Sequence, residues 1–262
     1  MVETSLGRNE AYRPDTDEVP LANRPVRRGS VIAGVALLVM TPLAAFANFG
    51  VLAALVTPGD AAQTANAILN AEGTFRFAIA SLFVVAVLDL TVAWALYAVF
   101  KPVNQGVALF MAWFRVVFAG IFMVAISQLT GVLSILTTAS SVSAFSTEQH
   151  YAQALLGITA FYDIWDAALI LVGLHLVLLG YLVYRSGAVP SYKSGYVPKT
   201  LGVLLAIAGV GYVVDSFGRV LVSGYAFEVA AFTFVGEVLL IFWLLIYGRR
   251  IGLAEKTAPV TD

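Results

Sequence analysis

Four ionisable side chains stand inside long apolar stretches of this sequence: Asp89, Arg115, His175 and Glu237. Each costs about 2.5–3.5 kcal/mol to place in lipid, so each needs a partner or a task. At ~1.5 Å of rise per residue, counted from the cytoplasmic end of each stretch, Asp89 and Glu237 fall ~17 Å deep, Arg115 ~12 Å and His175 ~13 Å. The spacing therefore predicts one layer near the midplane of a bilayer, built from four different helices. Its chemistry follows from the residue types. Arg115 can satisfy one carboxylate through two parallel bonds, leaving the other as a candidate proton acceptor with His175 as its relay. Two readings stay open: proton-linked recognition of a small, charged or lipidic ligand, and a structural clamp that ties the helices together.

A second set of charges lies further out. Asp215 and Arg219 are spaced i, i+4 and are expected to pair along one helix face as a structural feature. Asp163 and Asp166, beside Tyr162 and Trp165, read as solvated acids in an aromatic interfacial belt. With Asp215 they would otherwise line a vestibule that favours cations. Glu72 and Arg76 read as rim residues.

These side chains need helices to hold them, and the composition supplies the helices. Of the 262 residues, 60% are hydrophobic and 12% charged, against ~45–50% and ~25% in ordinary soluble chains. A water-soluble domain could not hide that much apolar surface. Six hydrophobic stretches, about 31–56, 76–100, 107–135, 163–184, 201–223 and 226–248, each approach or exceed the ~20 residues a helix needs to cross lipid. Helices are required because the hydrocarbon offers backbone N–H and C=O groups no partner. The expectation is an all-α polytopic bundle of six helices spanning 29–250, with membrane lipids as its surroundings.

Positive charge sets the expected orientation. Twelve of the 15 Lys and Arg residues fall before the first stretch, in the turn 101–106, in 185–200 and after 248. Arg76 stands alone in the loops of the other side. Both termini are therefore expected in the cytoplasm, with the protein in the cytoplasmic (inner) membrane. Residues 1–28 read as a disordered tail without the apolar core of a signal peptide, and 251–262 as a second tail. Asp60, three residues before Gln63, resembles a capping pair opening a short amphipathic helix over 61–72 at the outer interface. Thr137–Thr147 is a Ser/Thr-rich loop, and Tyr151–Phe161 reads as a helical extension of the fourth stretch. Ser186–Gly187–Ala188–Val189–Pro190 recurs as Ser194–Gly195–Tyr196–Val197–Pro198, a local loop duplication. Gly202, Ala206, Gly209 and Gly211 permit close helix contact, and Pro42 with Asn48 interrupts the first stretch.

An ordered series of short motifs carries a resemblance. Gly59–Asp60–Ala61, Ala65–Asn66 and Phe75–Arg76 are followed by Ala95–Leu96–Tyr97, Lys101–Pro102–Val103–Asn104 and Gly180–Tyr181–Leu182. Then come Lys193–Ser194–Gly195–Tyr196–Val197–Pro198, Leu201–Gly202–Val203–Leu204, Gly211–Tyr212 with Asp215, and Gly236–Glu237. Over about residues 30 to 250 the chain resembles the bacterial and archaeal membrane family called domain of unknown function 4386. The resemblance implies a polytopic helical membrane protein and brings no substrate, reaction or functional residue. The doubled Ser-Gly-x-Val-Pro departs from the family pattern by lengthening the fourth-to-fifth connection.

Several activities are excluded or disfavoured. Cysteine is absent and only His150 and His175 are present, so thiolate, disulfide and histidine-rich metal chemistry have no residues to use. A net charge of -1 argues against a nucleic-acid partner. No Walker, H-E-x-x-H, G-x-S-x-G or dinucleotide motif occurs, and no cofactor or metal site is expected. Three function classes remain: a transporter or channel-like protein, in which six spans favour a homo-oligomer; an intramembrane enzyme acting on a lipid through its carboxylates; and a non-catalytic accessory or sensor. A polar pocket touching Asp89, Arg115 and Glu237 would favour binding or transport, and a closed, dry cluster would favour the accessory role.

Overall fold

The computed structural model describes residues 24–138, 145–187, 199–225, 227, 229, 235–248 and 251. The chain is an all-α membrane protein whose described residues include the helices α1 (Arg24–Ala45), α2 (Ala61–Asn70), α3 (Glu72–Phe100), α4 (Gln105–Thr138), α5 (Thr147–Ser186), α6 (Lys199–Leu221) and α7 (Val235–Ile246). Five are long and apolar enough to cross a membrane, α1 being prolonged to Leu55, and α7 is a shorter apolar helix of 12 described residues. The expected sixth stretch is thus seen only in part, because 230–234 lie outside the described residues. Residues 1–23, 252–262 and the duplicated loop over 188–198 lie outside them as well, as do 139–144 of the expected Ser/Thr-rich loop, whose Thr137, Thr138 and Thr147 belong to helices instead.

Local chemistry sets the helix ends. α1 is described from Arg24, inside the stretch assigned to the tail. Asp60 caps α2 by accepting from the Gln63 N–H at 2.8 Å, as the pairing predicts. Asn104 Oδ1 accepts from the Val107 N–H at 3.0 Å where α4 begins. Ser146 and Gln149 form a reciprocal capping box that starts α5 sixteen residues before the expected span. Tyr151–Phe161 is therefore helical extension. At ~1.5 Å per residue, α4 and α5 run ~51 Å and ~60 Å, longer than ~30 Å of hydrocarbon requires.

Helices consecutive in the chain are neighbours in space, α3 against α4, α4 against α5, α5 against α6, and α6 against α7; α1 packs on both α3 and α7, which closes a ring. Apolar side chains cover both faces of the ring helices. Phe77, Val87, Trp94, Phe110, Trp113, Val210 and Phe242 point outward and are exposed, the pattern of helices solvated by lipid. Inside, one apolar cluster holds Leu52, Ile68, Phe75, Leu82, Phe122 and Phe161, and another holds Val92, Leu96, Met111, Leu179, Leu205 and Leu244. α2 buries Thr64, Ala65 and Ile68 and packs mainly on the extension of α5.

The α5–α6 seam depends on glycine. A Cβ on Gly173 would stand 2.6 Å from the Gly209 carbonyl oxygen, and one on Gly180 would stand 2.5 Å from that of Gly202. Ala206 completes the seam opposite Gly180. The obstacle is backbone, which cannot swing aside. Gly173→Ala is therefore expected to destabilise the fold by about 1–3 kcal/mol through overpacking. Gly131→Ala, where an added Cβ meets nothing within 4 Å, should gain up to about 1 kcal/mol from helix propensity. Thermal unfolding in detergent ranks the two, and equal midpoints would overturn the seam's importance.

Candidate functional site

Between the two apolar clusters lies the polar layer. Asp89 follows Ala86 of the first cluster and precedes Val92 of the second; Arg115 sits between Met111 and Phe118; His175 sits between Ala168 and Leu176. The helical phase that buries each cluster thus turns these three side chains inward as well. Asp89 is 1% exposed, His175 is fully buried and Arg115 nearly so.

The structure brings them into contact. Arg115 Nη2 lies 2.6 Å from Asp89 Oδ1, linking α4 to α3. Arg115 Nη1 lies 3.3 Å from His175 Nε2, linking α4 to α5. His175 Nδ1 lies 3.0 Å from the Met111 carbonyl oxygen. A carbonyl only accepts, so Nδ1 carries the hydrogen and Nε2 accepts from the guanidinium. Both bonds are made by the neutral imidazole, which positions Arg115. The two-bond arginine–carboxylate fork expected from the sequence is replaced by one Nη2–Oδ1 contact, because Nη1 is turned to the histidine.

Around this pair a cavity of about 460 Å³ opens at the centre of the ring. Every ring helix contributes to its wall: Met40 and Asn48 from the α1 segment, Asp89 from α3, Arg115 from α4, Trp165 from α5, Tyr212 from α6 and Glu237 from α7. Glu237 makes no direct contact with Asp89 or Arg115 among the bonds described. It faces Tyr212 within hydrogen-bonding reach and feels both charges. Most of the remaining wall is apolar. Four cavity-lining groups hold a buried polar atom without a hydrogen-bond partner: Asp89 Oδ2, Arg115 Nε, Glu237 Oε1 and Asn48 Oδ1. An unmet buried polar atom costs about 1–3 kcal/mol, so four around one cavity mark unfinished bonding.

The α1 wall is irregular. Pro42 lacks an N–H and cannot continue the regular ladder. A π-helical stretch, Phe46–Leu52, follows it. Asn48 Nδ2 donates to the Ala44 carbonyl at 3.0 Å, which fixes the amide's orientation. The interruption expected from Pro42 and Asn48 is thus a widened turn lining the cavity.

A second cavity, about 470 Å³, adjoins the first and shares Asn48, Phe49, Trp165, Leu169 and Tyr212 with it. Asp166, Asp215 and Arg219 line it, and Asp163 is absent from its lining. Here the reading of Asp166 as a solvated acid needs correction. Arg219 forms an ion pair with Asp166 across α5 and α6. Asp215 Oδ1 accepts from Tyr225 Oη at 2.8 Å and from the Val229 N–H at 3.0 Å. Asp166 is consequently a paired inter-helix acid, and Arg219 stands beside Asp166 and Asp215 in the lining of this cavity. Tyr225 lies beyond α6, and its bond to Asp215 holds the phenol's ionisation above the ordinary tyrosine value. Glu72 and Arg76 form an exposed ion pair at 2.7 Å. His150 belongs to the first turn of α5, bonded to the Ser146 carbonyl. It is ~37 Å along that helix from His175. Among the described residues no three His, Asp or Glu side chains converge as metal ligands.

Sequence reasoning missed Tyr212 and Met40. Tyr212 stands three residues before Asp215, and a tyrosine near a span's outer part reads as belt until its helix face is known. Met40 Sδ, 3.9 Å from Arg115 Nη2, gives no charge or spacing signal.

Comparison with known proteins gives two similarities. The family model described as "Domain of unknown function (DUF4386)" matches residues 32–248. An "Uncharacterized protein" of Archaeoglobus fulgidus is 39% identical over 190 residues, covering 72% of this chain and 94% of the relative. No solved structure matches.

The ion pair generates a stability prediction. Arg115→Leu should cost about 3–5 kcal/mol, because it strands the Asp89 carboxylate without its partner. The double variant Asp89→Leu/Arg115→Leu should recover most of that loss. Unfolding in detergent for both single variants and the double one closes the cycle, and additive losses would dismiss the coupling.

Proposed function

The chain belongs to the family described as domain of unknown function 4386, and from the cavity's geometry we propose that it binds a small or lipidic ligand at mid-membrane, with binding linked to a proton at Asp89 or Glu237. The observation that carries this reading is the central cavity, lined by Asp89, Arg115 and Glu237 and by polar atoms left without partners. Its volume of about 460 Å³ falls in the ~300–1,000 Å³ range of small-molecule sites. Arg115 and His175 act as positioning groups, and Asp89 and Glu237 as the acidic contacts.

The clamp reading is favoured by one observation, the bonds of Arg115 to α3 and α5. It accounts for those three residues. It gives no role to Glu237, Tyr212 and Asn48 around an open space, so we place the clamp within the site's framework. Native mass spectrometry of protein extracted from membranes tests the reading. A bound small molecule or lipid should accompany the wild type and be lost when Ala44→Phe fills the cavity. Its occupancy should vary with pH, and Glu237→Gln or Asp89→Asn should flatten that dependence. Identical adducts in wild type and filled variant would reject it.

We further place α7 as the sixth crossing, with both termini on the cytoplasmic side of the cytoplasmic membrane and α2 near the outer interface. The excess of cations on one side supports this orientation. The chain has no cysteine, so single substitutions report position cleanly. In intact cells Ala62→Cys should react with a membrane-impermeant maleimide, and Ser5→Cys and Thr261→Cys should react only after lysis. Labelling of either terminus from outside would overturn the topology.

A further inference from the structure

The cavity's unmet bonding has a sign. Three of its four unpartnered atoms are acceptors, Asp89 Oδ2, Glu237 Oε1 and Asn48 Oδ1, against one donor, Arg115 Nε. The remaining polar faces of Arg115 are already engaged by Asp89 and His175. Formal charge points the same way: two carboxylates, one guanidinium and a neutral imidazole leave one negative charge. A net charge buried among lipid-facing helices is costly, and a monocation would cancel it. Phe118, Phe122 and Trp165 supply an aromatic wall, with ring centroids 5.6 Å apart for the first two and 5.8 Å for the second two. Such rings favour both an apolar body and a neighbouring cation. An anion would instead meet two carboxylates, with only Arg115 Nε free to receive it.

We infer that the ligand of the central cavity is a lipophilic amine, its ammonium held by Glu237 and Asn48 beside Asp89 and its apolar body packed against Phe118, Phe122 and Trp165. The inference rests on the reading of the cavity as a ligand site and names the class of ligand. It also gives the proton link a balanced form. A proton on Glu237 and an ammonium beside it are alternative ways to neutralise the same carboxylate. When the amine enters, the carboxyl O–H bond breaks and one proton leaves to solvent. The ionisable groups facing Glu237 are Tyr212 of α6, Arg115 of α4 and Asp89 of α3; the cavity walls from α1 and α5 carry none.

Three probes of nearly equal shape decide the matter: phenylpropylamine, phenylpropanol and phenylpropanoate, titrated by calorimetry into the full chain in nanodiscs. The amine should bind at least about tenfold more tightly than the other two, and buffers of different ionisation enthalpy should report up to one proton released. In Glu237→Gln the amine's advantage over the alcohol should vanish while the alcohol still binds. If the alcohol or the carboxylate binds as tightly as the amine to the wild type, the cavity remains a ligand site and the amine assignment falls. If none of the three binds, the assignment falls together with the ligand-site reading. Should Glu237→Gln fail to fold, the three-way comparison on the wild type decides alone.

Discussion

An arginine held among lipid-facing helices cannot be left to itself, and the contact between Arg115 and Asp89 is the constraint around which this bundle is organised. Water would solvate both groups at no structural cost. Lipid does not, so α3 and α4 must meet in the one register that sets Nη2 against Oδ1 at 2.6 Å. His175 adds α5 by accepting from Nη1, and the Met111 carbonyl locks the imidazole in the tautomer able to accept. Apolar clusters lie on either side of this layer, and their low polarity strengthens the pairing.

The ring is tight on one side and irregular on the other. Along α5 and α6, two glycine pairs bring backbone against backbone, leaving those helices little freedom to slide. Opposite them, α1 carries Pro42 and the π stretch Phe46–Leu52, whose widened turn displaces Asn48 and Phe49 from a regular helical path. π turns of this kind recur at functional sites, where a regular helix would present the wrong side chains. The described helices form a ring with none of them at its centre, and such a ring needs large side chains to fill the middle. Here polar groups occupy part of that middle, and a cavity remains.

The two adjoining cavities share a partition of Asn48, Phe49, Trp165, Leu169 and Tyr212. On its inner side stand Arg115, Asp89 and Glu237; on its outer side stand the Arg219–Asp166 pair and Asp215 with its bonds to Tyr225 and Val229. Each layer therefore couples acids and an arginine from different helices. The extensions of α4 and α5, joined by α2, continue the apolar packing beyond the outer cavity through Ile68, Phe75, Leu129 and Ile158. Among the described residues, the carboxylate and guanidinium atoms left without a hydrogen-bond partner belong to the inner layer.

The sequence by itself determined the solvent and the class of fold, because 60% hydrophobic residues in stretches of about 20 admit no soluble arrangement and backbone polarity forbids anything but helices within the lipid. It also determined that Asp89, Arg115 and His175 share a depth, since depth depends only on counting residues along a helix of fixed rise. It showed the Asp60 cap and the glycines of α6, both of which are local or compositional signals. Which side chains meet at a given depth depends on helix rotation and neighbour order, and those are set by packing among all the helices at once. Only the tertiary structure therefore gave Arg115 its ion pair with Asp89 and its contact with His175, sent Arg219 to Asp166, and set Tyr212, Asn48 and Glu237 around one cavity. The cavity was decided at the same level, for an empty volume belongs to the arrangement of helices and to no residue in the chain.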